Sequence, residues 1–341
     1  MAIKSIELKN FTVFENMECE FSSGVNIFIG ENGTGKTHLL KVLYSFCCCD
    51  GYPDVSGLRV DSCFVSSLAA CFNGASRDEL VRKIPANDTN SDIAKFRFTI
   101  NGDLFSYDIT KCNEYVSAAL RSTNKQQIQA VFIPAKDMLT HSRGLLTMAK
   151  KHSNDMPFDK TLLNVIRDAD NWKVDEIPKL AKKIIPALEE IIGGQMVQQD
   201  GDFFIIKSNG NKVRFSLEAE GIKKFGLLWQ LLMTEVVEEN SILIWDEPEA
   251  NLNPKLIPKI VDILLELSRN SVQIFLATHD YNLIKSFNQR KKASDNVAFT
   301  SLYKTENGVA SETEDDYSLL KNNAIVDANI KLLEEDIEGI L

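Results

Sequence analysis

Eight consecutive residues, Gly30-Glu31-Asn32-Gly33-Thr34-Gly35-Lys36-Thr37, have the types and spacing of a loop that holds phosphate groups. A β-rich apolar run precedes them at 25–29, and a run with helical character follows at 38–43. In such a strand–loop–helix, backbone N–H groups surround the phosphates and the helix N-terminus adds partial positive charge. We expect Lys36 to reach the β- and γ-phosphates and the Thr37 hydroxyl to bind Mg²⁺. The pattern predicts a site for a nucleoside triphosphate, whose cradle would be formed by Gly30, Asn32, Gly33 and Gly35.

A pair of carboxylates follows a second apolar run: Ile242-Leu243-Ile244-Trp245 leads into Asp246-Glu247-Pro248. Taken alone, an Asp-Glu pair after a strand is most often a loop with solvated charges. After a phosphate-binding loop, the same pair predicts chemistry. Asp246 would hold Mg²⁺, directly or through water, and Glu247 would orient and deprotonate the attacking water. These residues indicate hydrolysis of ATP, with ATP and Mg²⁺ as the ligands.

The predicted elements place both clusters at the ends of strands. Asn101-Gly102-Asp103, between two β-rich runs, predicts a hairpin, and Pro134 ends a further buried strand at 130–133. The other expected strands are at 2–9, 195–215 (a meander), 272–277 and 297–310 (a hairpin), and the expected helices lie within 137–192 and over 226–237, 255–268 and up to about 287.

One further helix is predicted over 329–341, because Ile330, Leu333, Ile337 and Leu341 are near helical spacing. Its simplest interpretation is a helix docked on the core rather than a tail that binds a partner.

Composition sets the broad class of protein. The 341 residues carry 38 Lys and Arg against 48 Asp and Glu, and the net charge of −10 argues against a wholly basic nucleic-acid binder. The seven cysteines form no Cys-x-x-Cys pair, so neither a zinc site nor a disulfide framework is indicated. The first residues alternate as in a strand rather than a signal peptide, and no apolar run of about eighteen residues offers a membrane span. We therefore expect a cytoplasmic protein with no membrane partner.

The order of the motifs resembles that of ABC-type ATPases: the phosphate loop (Walker A), then Asp246-Glu247-Pro248 (Walker B), then Leu252-Asn253, then Thr278-His279 after a strand. The stretches 245–254 and 6–11 look most similar to the soluble SMC-like and OLD-type branch, in the bacterial AAA-15/AAA-21 grouping. This resemblance covers almost the whole chain. It implies an α/β fold, an ABC-ATPase head whose P-loop NTPase core sheet carries an antiparallel β subdomain and an inserted helical lobe.

The resemblance implies one ATPase module in three parts. Residues 1–134 would form the ATP-binding lobe with Walker A and the β subdomain, and 135–225 the helical lobe with a β-meander leading to a degenerate signature motif. Residues 226–341 would form the second core lobe with Walker B, the D-loop, the switch histidine and the last helix.

The resemblance also assigns roles to residues outside the two Walker motifs. The D-loop would be Ala250-Asn251-Leu252-Asn253, with Asn253 where Asp is usual, and His279 would be the switch histidine that hydrogen-bonds the γ-phosphate. We expect Glu247 and His279 to be catalytic, and Asn253 to contribute to nucleotide binding across an interface.

The signature motif is the most divergent part of the resemblance. Its counterpart retains Gly221 and the helix that follows, but Ala219 stands where the family has a serine hydroxyl. Backbone N–H groups and the helix dipole could still bind a phosphate of the opposite subunit, and Lys223 or Lys224 could add charge. The missing hydroxyl suggests slow or partner-dependent turnover.

Two features of the family have no assigned residue. A Q-loop glutamine is sought among Gln126, Gln127 and Gln129, and none of them is a secure match. An aromatic side chain that stacks on adenine could be Phe11 or Phe14, although Phe is more often a core residue.

The function implied by the resemblance is a Mg-ATP-dependent ATPase that closes head-to-tail around nucleotide as a homodimer or higher oligomer. Its expected partner is a separately encoded nuclease or toxin effector in anti-phage defence or DNA processing, and DNA binding is possible. Two alternatives stay open, namely the nucleotide-binding subunit of a membrane transporter and a weakly hydrolysing, ATP-gated scaffold.

Overall fold

The structure is a computed structural model that describes residues 2–48, 60–83, 93–110, 117–120, 128–136, 145, 148, 158–170, 176–199 and 202–338. The described strands form one mixed sheet and two antiparallel sheets, with helices packed between and around them.

The mixed sheet is the centre of the fold. Its strands are β3 (Val25–Ile29), β7 (Ala130–Ile133), β11 (Ile242–Asp246), β12 (Gln273–Thr278), β13 (Val297–Thr305) and β14 (Gly308–Glu314). They lie in the order β14-β13-β3-β12-β11-β7, all parallel except β14. Strands β3, β11 and β12 are buried along their whole length, as expected for parallel strands covered on both faces. Their carboxyl ends adjoin, since Asp246 pairs with Ala277 and Thr278 pairs with Ile29.

A five-stranded antiparallel sheet contains β1 (Ile3–Phe11), β2 (Phe14–Glu20), β4 (Ile93–Ile100), β5 (Asp103–Thr110) and β6 (Ser117–Leu120), in the order β2-β1-β4-β5-β6. The predicted hairpin is confirmed between β4 and β5. Its two loop residues, Asn101 and Gly102, have φ angles of 49° and 91°, the positive values that a two-residue hairpin turn of type I′ requires. A third sheet contains β8 (Gly194–Gln199), β9 (Asp202–Lys207) and β10 (Lys212–Arg214).

The described α-helices are α1 (Lys36–Cys47), α2 (Val60–Cys71), α3 (Arg77–Leu80), α4 (Lys160–Asp170), α5 (Lys179–Ile192), α6 (Glu220–Met233), α7 (Ile257–Arg269), α8 (Tyr281–Arg290) and α9 (Ala324–Glu338). Helix α1 shares an apolar cluster with both the mixed sheet and the five-stranded sheet. Phe46 of α1 stacks on Phe98 of β4 at a centroid distance of 4.1 Å. Nine of the twelve residues of α1 are buried, so this helix is a core element of the fold.

Helices α5, α6 and α7 lie in a second apolar cluster, on the other face of the mixed sheet. Helix α6 begins at Glu220, six residues before the predicted start at Gly226. The predicted start is wrong because Gly226 serves close packing rather than a helix boundary. A Cβ atom at this position would lie 2.5 Å from Cε2 of Phe215.

The last helix also differs from its prediction. It begins at Ala324, and none of its residues, all of them described, is buried. The predicted docking on the core is therefore wrong for 329–338, the described part of the predicted helix. The amphipathic pattern was correct, but a pattern alone does not say which surface covers the apolar face.

Candidate functional site

The phosphate loop connects β3 to α1 and depends on two glycines that no other residue could replace without a clash. A Cβ atom at Gly30 would lie 2.4 Å from the carbonyl oxygen of Leu302, and one at Gly35 would lie 2.6 Å from Cγ2 of Val13. Gly35 is also the N-cap of α1, with a left-handed φ of 85°. The chain therefore turns from strand to helix in a backbone path that exposes N–H groups at a helix N-terminus. Asn32 and Gly33 are exposed at the tip of this loop.

Lys36 spans the phosphate loop from inside. Its Nζ donates hydrogen bonds to the carbonyl oxygens of Gly30 at 2.6 Å and Glu31 at 2.9 Å. Burial lowers the pKa of Lys36, and the nearby carboxylates of Glu247 and Asp246 oppose that shift. An ammonium group has three N–H donors, so beyond these two carbonyls Lys36 has a donor for a phosphate oxygen.

Thr37 and Asp246 meet between the phosphate loop and the end of β11. The Thr37 hydroxyl donates a hydrogen bond to Oδ2 of Asp246 at 2.9 Å. Burial raises the pKa of Asp246, and the hydrogen bond from Thr37 opposes that shift. A hydroxyl and a carboxylate are oxygen ligands that suit Mg²⁺, which in such sites also takes phosphate oxygens and water. Among the described residues, no group of three or more His, Cys, Asp or Glu is placed to hold a metal ion.

Glu247 and His279 face each other from adjacent strand ends. Nδ1 of His279 lies 3.1 Å from Oε1 of Glu247, and both side chains are partly exposed. Glu247 has a φ of 48°, a left-handed conformation that costs a side-chain-bearing residue on the order of 1–3 kcal/mol. The hydrogen bond from its N–H to the carbonyl oxygen of Ala277, at 2.9 Å, holds that conformation. The left-handed turn follows directly after Asp246 and leaves the Glu247 carboxylate partly exposed to solvent.

A second acid lies directly beneath this pair and was missed by the sequence analysis. Glu249 is 8% exposed, and its Oε1 accepts a hydrogen bond from the Thr278 hydroxyl at 2.6 Å. The same hydroxyl accepts from the N–H of Asp280 at 2.9 Å. Burial raises the pKa of Glu249 to about 7. Through Thr278, these hydrogen bonds connect the loop after β11, which carries Glu247, to the loop after β12, which carries His279. They therefore help to fix the positions of Glu247 and His279 relative to each other.

Lys224 of α6 supports the same loop. Its Nζ donates to the carbonyl oxygen of Glu247 at 2.6 Å. Burial lowers the pKa of Lys224 to about 8, and the carboxylate of Glu249 makes the largest contribution against that shift. The Lys223 side chain is 4% exposed and pairs with Glu220 at 2.6 Å. The suggestion that either lysine reaches the phosphate of an opposite subunit is therefore wrong, since both are buried against their own chain.

Replacing Glu249 with Gln should make stability less dependent on pH. The pKa of this carboxyl is about 7 in the fold and 4.5 as an ordinary value. Between these values the folded protein binds more protons than the unfolded chain, so the free energy of unfolding of the wild type falls as the pH rises. Urea unfolding at about pH 5 and about pH 8 should show a loss on the order of 1–3 kcal/mol in the wild type and a smaller loss in the variant.

The matched control is Glu190→Gln, because the Glu190 side chain is 74% exposed. This variant should keep the pH dependence of the wild type. An unchanged pH dependence in Glu249→Gln would show that the buried carboxyl does not titrate in this range.

The signature counterpart and the D-loop pack against each other. A Cβ atom at Gly221 would lie 2.8 Å from the carbonyl oxygen of Asn251, so glycine allows the close approach of α6 to the D-loop. Ala219 is the exposed N-cap of α6. Asn253 is exposed, and its side chain accepts a hydrogen bond from the N–H of Lys255. The exposed start of α6 and the exposed D-loop residue thus form one continuous surface.

Gln129, Phe11 and Phe14 do not present their side chains to the nucleotide site. Gln129 lies just before β7, at the amino end of the parallel strands and so opposite to the carboxyl ends that carry the site. Its side chain donates to the carbonyl oxygens of Glu235 and Val236. As a Q-loop residue it is wrong, while Gln126 and Gln127 lie outside the described residues. Phe11 and Phe14 are fully buried, so each is a core side chain with no face for a base.

A cleft of about 610 Å³ lies beside the tip of the phosphate loop. It is bordered by Gly33 on one side and by residues near the β1–β2 and β13–β14 turns on the others, among them Thr12, Val13, Arg82, Lys83 and Lys304. Arg82 fixes this border, because it donates to the carbonyl oxygens of Val13 at 2.7 Å and Asn307 at 3.0 Å.

Comparisons with known proteins agree with this geometry. A family model described as "AAA domain, putative AbiEii toxin, Type IV TA system" (AAA_21) matches residues 146–285, and one described as "AAA ATPase domain" (AAA_15) matches residues 1–50. An "ATP/GTP phosphatase" of Helicobacter pylori is 21% identical over 346 residues, which cover 88% of this chain and 91% of that protein. The "DNA replication and repair protein RecF" of Listeria welshimeri is 54% identical over 43 residues, 13% of this chain and 12% of that protein.

Among solved structures, the chain is similar to the Smc head domain of Pyrococcus furiosus, which has an extended coiled coil and is bound to the C-terminal domain of ScpA. The identity is 11%, the TM-score is 0.57, and the match covers 98% of both chains. At this identity the likeness shows the fold alone. The predicted fold class, an ABC-ATPase head of mixed α/β structure, is confirmed.

The fold and the site define a P-loop ATPase head. The two family matches and the fold of the Smc head domains support an SMC-like P-loop ATPase grouping for this chain. Within the described part of the chain, none of the helices is both long and apolar enough to span a bilayer.

Proposed function

We propose that the chain binds Mg-ATP and hydrolyses it to ADP and phosphate. The observation that carries the proposal is the meeting of three strand ends: the Thr37–Asp246 hydrogen bond at 2.9 Å and the Glu247–His279 contact at 3.1 Å lie on adjoining loops. The relative named as an ATP/GTP phosphatase, which matches over 88% of this chain and 91% of its own length, is consistent with it.

In this proposal each residue has a defined task. The N–H groups of the 30–35 loop and Lys36 bind the β- and γ-phosphates, and the cleft beside Gly33 receives the base and ribose. Thr37 and Asp246 hold Mg²⁺, which neutralises the charge that develops on the phosphates. The Glu247 carboxylate accepts a proton from the attacking water, and His279 hydrogen-bonds the γ-phosphate and orients Glu247. Glu249 and Lys224 are positioning residues: their hydrogen bonds hold the loop that carries Glu247.

A second copy of the chain would complete the site. The start of α6 near Gly221 and the neighbouring D-loop residue Asn253 form an exposed surface whose N–H groups suit a phosphate. In a head-to-tail pair this surface of one subunit would cover the nucleotide held by the phosphate loop of the other. Binding of ATP would close the pair, and hydrolysis would reopen it.

The nucleotide cycle would control a separately encoded effector, either a nuclease or a toxin, in anti-phage defence or DNA processing. Support comes from the toxin–antitoxin wording of the matched AAA_21 family and from the DNA replication and repair role in the name of the RecF relative. The reducing interior of a cell suits the free cysteines, of which Cys19, Cys47 and Cys71 are buried.

The direct test is the magnesium dependence of phosphate release from ATP. The wild type should release phosphate only with Mg²⁺ present, and Asp246→Asn should need a higher Mg²⁺ concentration for half-maximal rate, by about tenfold or more, because the ligating carboxylate is gone. Asp262→Asn is the matched control, since Asp262 is 55% exposed and pairs with Arg290. Phosphate release that does not depend on Mg²⁺, or none at any concentration, would contradict the proposal.

A further inference from the structure

Helix α9 leaves the body of the protein after its first turn. Asn323 caps it by accepting a hydrogen bond from the N–H of Val326, and Ile325 packs against the core. Beyond this turn the large apolar side chains face solvent: Ile330 is 49% exposed, Leu333 58% and Ile337 59%. A single exposed Leu is ordinary on a protein surface, but a row of them on one helix marks an interaction site.

The row has the spacing of a coiled-coil seam. Val326, Ile330, Leu333 and Ile337 are separated by four, three and four residues, which is the alternation of a and d positions in a heptad repeat. Ile330 and Ile337 occupy a positions, and Leu333 occupies a d position. Ile at a with Leu at d favours a two-stranded, parallel coiled coil, so the seam is suited to one partner helix.

The charges beside the seam select the kind of partner. Asp327 and Glu334 occupy e positions, and Asn329 and Asp336 occupy g positions. In a pair of identical helices these acidic residues would find no basic residue across the seam, so a second copy would gain no interhelical ion pair. A second copy of α9 is therefore disfavoured. A helix with Lys or Arg at its own e and g positions would instead form interhelical ion pairs along both sides.

The helix is also connected to the nucleotide site. It packs on α8, which begins at Tyr281, and the side chain of Asp280, the residue directly after His279, is the N-cap of α8. Tyr281 of α8 contacts Tyr317 at a centroid distance of 6.2 Å, in the segment that leads to α9. If a bound γ-phosphate displaced His279, helix α8 would transmit that displacement to the first turn of α9.

We propose that α9 is the docking element for a partner protein, through a two-stranded coiled coil with a partner helix that has an apolar a/d seam and basic e and g positions. This inference rests on the proposed control of a separate effector and states the chemistry by which that effector is recognised. The seam of 326–337 spans fewer than two heptads, so the contact is short and its affinity depends strongly on each apolar side chain.

The test uses the whole protein and a synthetic peptide of three heptads with Ile at a, Leu at d and Lys at e and g. Fluorescence anisotropy should show binding that weakens as salt is added, because ion pairs flank the seam. Leu333→Ser should weaken binding by about tenfold or more, since it removes a central seam residue. Leu332→Ser is the matched control: Leu332 is 60% exposed but lies at a c position, off the seam, and its variant should bind like the wild type.

Three results would overturn the proposal. They are equal binding of a peptide with Glu at e and g, equal losses for Leu333→Ser and Leu332→Ser, and a smaller oligomer in Leu333→Ser by light scattering, which would identify a second copy as the occupant. The anisotropy is measured without nucleotide, so it does not depend on hydrolysis. A protein that binds the peptide but releases no phosphate from ATP would refute the proposed ATPase activity and leave the docking helix in place.

Discussion

Replacing Glu247 with Gln should lower the rate of ATP hydrolysis by about 100- to 10,000-fold, the usual contribution of a general base. The amide keeps the shape of the side chain and its contact with His279, which is 3.1 Å away in the wild type, but it cannot accept a proton from water. ATP binding should be retained, because the phosphate loop is unchanged. Phosphate release and the affinity for a fluorescent ATP analogue, measured on the same preparation, separate the two effects.

Glu190→Gln is the matched control for this variant, since Glu190 is an exposed residue of α5 that pairs with Lys259. It should hydrolyse ATP at the wild-type rate. Unchanged hydrolysis in Glu247→Gln would remove Glu247 from its role, and Glu249, the other carboxylate on this loop, would be the next residue to test.

Replacing Lys36 with Ala should weaken the binding of Mg-ATP by about tenfold or more. Hydrogen bonds between an ammonium and a charged oxygen contribute about 1.5–3 kcal/mol each, and about 1.4 kcal/mol is a tenfold change in affinity. The variant also releases the two loop carbonyls, of Gly30 and Glu31, that Lys36 now binds. Isothermal titration with ATP and Mg²⁺ measures the loss directly.

Lys331→Ala is the control for the loss of a lysine, because Lys331 is 77% exposed on α9 at a b position of the heptad. Its affinity for Mg-ATP should equal that of the wild type, and an equal loss in both variants would mean that net charge, not Lys36, governs binding. Glu247→Gln and Lys36→Ala together also distinguish a motor from a scaffold. A nucleotide-gated scaffold would keep its partner with Glu247→Gln and lose it with Lys36→Ala, whereas a motor would fail with either.

The positions of the phosphate loop, of Asp246-Glu247 and of His279 at strand ends were predictable because each follows or ends a short apolar run. The sequence around 30–37 contains strand, loop and helix in order, and the short apolar run before Asp246 favours a buried strand, which the structure shows. The β4–β5 hairpin was predictable for a similar reason, since Asn101-Gly102 favours one turn geometry. In all three cases the signal is local.

The supporting residues of the site were not predictable, because they depend on which strands are neighbours. Glu249 is notable only when β11 lies beside β12, so that Thr278 reaches its carboxylate. The supporting role of Lys224 can be recognised only once α6 is known to pack against the loop that carries Glu247. Gln129 was a wrong candidate for a related reason. It is close to a strand in sequence, but it lies at the amino end of that strand, whereas the site lies at the carboxyl ends. The exposure of α9 was hidden for the same reason, since its pattern fits any apolar surface.

The burial of α1 has a consequence for amide hydrogen exchange. Because nine of its twelve residues are buried between two sheets, the amides of this helix can exchange only when the whole domain opens. Protection over 40–47 should therefore be the same with and without ATP, whereas the amides of 31–34, a segment with three of its four residues exposed, should exchange more slowly when nucleotide binds. The nucleotide would then enter and leave by rearrangement of a four-residue tip, on a helix that stays folded throughout.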